Sequence, residues 1–160
     1  MAILTTSGRT AMAIAIAAQP LHLAWGSGDA AWDTTPVPEP IGATALVQEV
    51  GRRTASLIQF CAPDIAGDLI VPAGRYAISA SPTQHLYLRF NFDFTDASSS
   101  LIREAGVFLG TVLQSGLPEG QRYFAPADIA NPGTLLALER FPKITRSSSV
   151  RQSFEFVLTL

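Results

Sequence analysis

Leu86-Tyr87-Leu88-Arg89-Phe90-Asn91-Phe92-Asp93-Phe94 decides the fold class. Leu86, Leu88, Phe90, Phe92 and Phe94 fall on one side of an extended chain, and Tyr87, Arg89, Asn91 and Asp93 on the other, because successive side chains of a strand point to opposite faces. Such a ribbon is covered on one face only. The C-terminal stretch repeats the pattern, with Phe154, Phe156, Leu158 and Leu160 against Arg151, Ser153, Glu155 and Thr159. This places Leu160 itself in a strand. Further strands are expected over 54–60, 68–71, 76–80, 101–109 and 135–140. Turn signals separate them at Pro63-Asp64, Pro72-Ala73-Gly74, Ser81-Pro82, 96–100, 116–120 and Asn131-Pro132-Gly133. Seven short strands with no helix–strand alternation predict a mainly β fold. The expected architecture is an antiparallel β-sandwich or open barrel-like sheet, preceded by an N-terminal helix and an extended arm.

The helix is expected in the alanine-rich stretch from Ala11 to Ala18, capped by Thr5, Thr6 or Ser7 and stopped before Pro20. Arg9 ahead of this run resembles the start of a secretory signal, but the apolar part is short and diluted by alanine, well under the roughly twenty residues of a membrane span. The segment is therefore read as part of the fold, with no membrane partner. Leu21-His22-Leu23-Ala24-Trp25 reads as a short strand. A long connection follows, through Gly26-Ser27-Gly28, Trp32 and the prolines Pro36, Pro38 and Pro40. Tryptophan argues against plain disorder, so this is read as an arm that lies against something. The expected division is residues 1–45 as helix and arm, and 46–160 as the antiparallel β domain.

Composition narrows the function classes. Charged residues are only 15% of the chain against 48% apolar, so much of its surface must be neutral or covered by partners. Eleven basic and thirteen acidic side chains give a net charge of -2, too weak a field to gather nucleic acid. Cys61 is the only cysteine, which excludes an internal disulfide and any multi-cysteine zinc site.

No catalytic signature assembles in the sequence. There is neither a Gly-x-Ser-x-Gly elbow nor a phosphate-binding Gly-x-x-x-x-Gly-Lys-Ser/Thr loop. His22 and His85 have no ligand or orienting residue at metal-site spacing. Cys61 at a strand end reads as a small core residue, and the pairs Asp29/Asp33 and Asp93/Asp96 read as turn carboxylates. No cofactor and no enzyme activity are expected. Arg103-Glu104 stands out, since charges between apolar strand residues must be exposed, paired or costly. A cross-strand ion pair is the simplest account.

Glu49-Val50-Gly51-Arg52-Arg53, Leu86 to Phe94, Ile102-Arg103-Glu104-Ala105-Gly106-Val107-Phe108, Gly120-Gln121-Arg122-Tyr123-Phe124 and Arg151-Gln152-Ser153-Phe154-Glu155-Phe156 resemble tail and baseplate proteins of tailed bacteriophages. The likeness is greatest to the N-terminal attachment module of tail-collar fibre proteins, in which a strand with an Arg-Glu-x-Gly-hydrophobic pattern precedes a variable loop and two closing strands. Leu21 to Asp29 also looks like the start of small phage tail proteins. The resemblance covers about residues 21–160 and implies a structural subunit of the tail, baseplate or collar, assembled in the host cytoplasm and carried in the virion. Its implied partners are other tail proteins and copies of itself.

Low charge, sheet edges and a tryptophan-bearing arm fit that implication. The expected docking residues are Trp25, Trp32, Pro36 and Pro38 on the arm, with Arg52, Arg53, Arg103 and Glu104 as polar contacts. The alternative is a carbohydrate- or small-ligand-binding sandwich with Trp32, Tyr87 and Tyr123 as an aromatic platform. A hydrolase whose residues meet only in the fold is the third reading.

Overall fold

The computed structural model describes residues 2–160 and is mainly β, as the alternating pattern requires. Its contacts divide the chain into two units. One comprises the chain up to Gln19 with Ala55–Phe90 and Ser153–Leu160, and the other comprises Pro20–Thr54 and Asn91–Gln152.

The first unit opens with α1 (Thr6–Ala17), capped by the Thr5 hydroxyl, which accepts from the Gly8 N–H at 3.2 Å. Alanine favours the helix, and Pro20 ends it. Ala13 and Ile16 are buried at a one-turn spacing, while Met12 and Ile14 remain exposed. The unit's sheet runs in the order β12-β6-β3-β5-β4. Its strands are β3 (Leu57–Pro63), β4 (Leu69–Val71), β5 (Gly74–Ile78), β6 (His85–Phe92) and β12 (Gln152–Thr159). The β3–β6 register, Leu57↔Arg89 to Cys61↔His85, is antiparallel, as are the β3–β5 and β4–β5 pairs.

Leu86, Leu88 and Phe90 are buried as the alternation demands. Tyr87, expected on the polar face, is buried too, in a cluster with Cys61, Val71 and Tyr76. Glu155 accepts its hydroxyl hydrogen bond. The chain's last strand ends at Thr159, and the Leu160 N–H still donates to the Gln84 carbonyl at 3.1 Å.

The sheet of the second unit runs β11-β7-β1-β2-β9. Its strands are β1 (Leu21–Gly26), β2 (Glu49–Thr54), β7 (Leu101–Leu109), β9 (Tyr123–Phe124) and β11 (Thr134–Thr145), and a separate pair is made by β8 (Val112–Leu113) and β10 (Ile129–Asn131). β1 is central and all six of its residues are buried. It pairs antiparallel with β7 from Leu21↔Leu109 to Gly26↔Glu104, and with β2 on its other side.

Two expectations are corrected here. The strand predicted over 54–60 is two strands, β2 ending at Thr54 and β3 starting at Leu57. Phe94, predicted to face inward, lies past the end of β6 and is exposed, with the Arg151 guanidinium 4.8 Å from its ring.

Candidate docking surface

The connection from β1 to β2 forms an ordered strap over 27–48. Its neck is closed by main-chain bonds from Ser27 N–H to the Gln48 carbonyl and from Gly28 N–H to the Val47 carbonyl, both 3.1 Å. Gly28 has φ +61, and a Cβ there would run into the Trp32 ring, so the turn needs glycine on both counts. Asp29 then caps a short 3-10 helix (Ala30–Asp33) by accepting the Ala31 N–H at 2.9 Å, which presents Trp32 and Asp33 to the sheet.

Both strap residues are caught by cations. Asp33 takes a two-pronged contact from Arg103, Nε to Oδ1 at 2.8 Å and Nη2 to Oδ2 at 2.9 Å, while Lys143 Nζ lies 3.0 Å from Oδ2. Arg103 and then Lys143 hold the Asp33 carboxyl well below the usual carboxylate range. Arg103 Nη1 also donates to the Ser27 carbonyl at 2.9 Å. The Arg140 guanidinium sits 4.1 Å above the Trp32 ring and donates to the Pro38 carbonyl at 3.0 Å.

β11 is an edge strand, and the strap lies along part of that edge. The Arg140 main-chain N–H donates to Glu39 Oε1 at 2.8 Å, so a carboxylate takes the place of a neighbouring strand. That bond is the leading reason the Glu39 carboxyl is held down. Pro36, Pro38 and Pro40 have no N–H to offer, so the strap covers the edge without extending the sheet.

Glu104 locks the other end of the strap. Its carboxylate is completely buried and accepts the Val47 N–H, with Oε2 3.6 Å from Arg140 Nε. Burial pushes its pKa up, while the Val47 N–H and Arg140 pull it down. A Cβ on Gly26 would collide with this carboxylate, and one on Gly106 would press on Leu135 and Leu46. The Arg-Glu-x-Gly pattern thus has a physical content: an arginine for the strap's aspartate, a glutamate for its main chain, and a glycine that makes room.

The structure relocates several of the expected docking residues. Trp25 is not on an arm surface, since it is 0% exposed and its ring stacks on Phe92 at 3.5 Å. Both faces of β1 are covered, which alternation alone does not reveal. Arg52 is buried and fully engaged, with Nε and Nη2 on the Glu49 carboxylate at 2.8 and 2.7 Å and Nη1 on Thr111 Oγ1 and the Pro132 carbonyl at 2.8 Å. Arg53 pairs with Asp96. Arg103 and Glu104 do not pair with each other, and the cross-strand partner of Glu104 is Arg140. Trp32, Pro36 and Pro38 do lie on the strap, where Val37 and Ile41 are exposed beside them.

The residues of the alternative readings fall as follows. Tyr87 is buried, so it cannot stack on a sugar, and the Tyr123 hydroxyl donates to the Val50 carbonyl at 3.3 Å. His22 is buried 3.2 Å from Thr54 Oγ1, and burial with the nearby Arg52 charge lowers its pKa to about 4. His85 Nδ1 lies 2.8 Å from Thr159 Oγ1. Burial raises the Cys61 pKa, which keeps the thiol protonated. Among the described residues no three His, Cys, Asp or Glu side chains form a group that could hold a metal, and no helix is long and apolar enough to cross a membrane.

Sequence reasoning missed Asp33 as an anchor and missed Glu39, Arg140 and Lys143 altogether. Only Pro142, inside a strand that would otherwise run on, marks β11 as an edge.

The chain is mainly β, and its buried charges tie loops to strands. The chain belongs to the family described as baseplate wedge 3 tail fiber network component, whose model it matches over residues 1–160. No curated protein matches it. It is accordingly a structural component of a phage baseplate, located in the virion tail and in contact with other baseplate proteins. This agrees with the resemblance to tail and baseplate proteins, while the narrower likeness to the tail-collar attachment module receives no support from it.

Proposed function

We propose that the chain holds neighbouring baseplate subunits together through the strap, with exposed sheet edges as secondary contacts. The observation that carries this reading is an ordered, solvent-facing strap. Its anchors at Asp33, Glu39 and Val47 fix the main chain, so little conformational entropy is lost on docking. Meanwhile Val37 and Ile41 stay exposed on it. Isolated exposed apolar residues are ordinary, but two on a pinned, proline-stiffened segment make a preorganised contact surface.

The strap and the edges serve tail-fibre attachment and assembly with further copies of the chain, built in the host cytoplasm. The role is cohesion rather than turnover. The test is the double change Val37→Ser with Ile41→Ser, read as the amount of this chain in purified particles. Incorporation should fall at least several-fold while the thermal midpoint of the isolated protein stays put. Normal incorporation of the double variant removes the strap from the docking surface.

A further inference from the structure

We propose that the groove between the strap and β11 receives an extended acidic segment of another baseplate chain, an inference that rests on the strap being the docking element. The groove has a volume of about 760 Å³, and its lining includes Trp32, Pro36, Pro38, Arg140, Phe141 and Lys143. That size suits a few side chains of a peptide.

Charge selects the occupant. Arg140 is balanced by Glu39 and the buried Glu104, but at the Asp33 end of the groove two cations, Arg103 and Lys143, share one carboxylate. Both groove carboxylates are already committed, Asp33 to Arg103 and Lys143, and Glu39 to the Arg140 main chain. Lys143 is half exposed, and an ammonium has three donors, of which Asp33 accepts one. The remaining capacity of the groove is for an anion.

The walls determine how the rest of the segment is held. Prolines remove N–H donors from the strap, and Arg140 already occupies the Val37 and Pro38 carbonyls. An occupant therefore gains little main-chain pairing from the strap, and recognition falls to its side chains. An aspartate or glutamate reaches Lys143, and an adjacent apolar residue packs on Pro36, Pro38 and Phe141.

The experiment is selection of random displayed heptapeptides on the immobilised full chain, followed by anisotropy titration of the best binder. Recovered peptides should be enriched in Asp and Glu next to apolar residues, and binding should weaken as ionic strength rises. Lys143→Gln should weaken it about tenfold, the scale of one charge-assisted contact. Ile65→Ser, on an exposed turn outside the groove, should leave it unchanged. Neutral or basic binders, no enrichment, or an affinity indifferent to Lys143→Gln would each overturn the proposal. So would self-association of the chain that Lys143→Gln abolishes, since the occupant would then be a second copy. If strap changes block incorporation into particles but no acidic bias emerges, the docking role stands and this occupant falls.

Discussion

The two units bury different things. The first hides Leu86, Tyr87, Leu88, Phe90, Cys61, Val71 and Tyr76, and among the described residues every buried charged or imidazole side chain lies in the second: His22, Arg52, Asp96, Arg103, Glu104 and Arg146. The difference follows from how each unit satisfies its main chain. Hairpins in the first pair their own N–H and C=O groups. The second carries long irregular connections whose carbonyls need donors from side chains. Arginine supplies them, with several donors on one rigid plane. Arg52 reaches Pro132, Arg103 reaches Ser27, Arg140 reaches Val37 and Pro38, and Arg146 reaches Asp93, Asp96 and Val150. Buried charge here shapes loops, and the strap is one of them.

The largest expected effect breaks the two kinds of core in turn. Arg52→Ala leaves the half-buried Glu49 carboxylate unpaired and takes a donor from the Pro132 carbonyl, and should cost about 3–5 kcal/mol in urea unfolding. Phe90→Ala in the first unit should cost a similar amount, about 3–5 kcal/mol, through a cavity. Pairing separates them: adding Glu49→Gln to Arg52→Ala removes the unpaired carboxylate and should recover part of the loss, whereas no change of charge should recover the loss at Phe90. No recovery from the added Glu49→Gln would mean that the charged network is not what holds the second unit's loops.

Next in size is a pH effect confined to the second unit. The His22 pKa in the folded state, about 4, lies below its ordinary 6.5, so the folded protein favours the neutral ring. The unfolded chain binds the proton first as pH falls, and stability present above pH 6.5 should drain away towards pH 4. The loss amounts to about 3 kcal/mol at most. His22→Gln should flatten that interval of the stability profile, and an unchanged slope would contradict the assignment.

Asp33→Asn comes third. Its effect is local, because the carboxylate is at the surface and works on the strap alone. Amide exchange over 31–40 should quicken while exchange in β3 and β6 stays as it was. Smallest is Arg151→Ala, which removes an exposed pair with Asp93 and should change stability by no more than about 0.5 kcal/mol in the same unfolding assay.

Much of the fold was legible because strand periodicity and turn residues are local signals. β7 spans the expected 101–109, and α1 begins and ends where its cap and Pro20 require. β8, β9 and β10 are two or three residues long, too short to show a period. Position in the sheet is not a local signal either, which is why the sequence places Trp25 of central β1 on the arm. The strap itself could be located from Trp32 and its prolines. Its anchors could not, since Asp33 meets Arg103 and Lys143 across 70 and 110 residues. A strand arginine looks the same in sequence whether it faces solvent or a buried carboxylate.

The central claim is that the strap is a contact surface in the assembled baseplate. A photo-crosslinking residue at Ile41, compared with one at Ile65, tests it most directly in intact particles. The account predicts that Ile41 joins this chain to another baseplate polypeptide in high yield. Particles in which Ile41 yields no more crosslink than the same protein free in solution would contradict it.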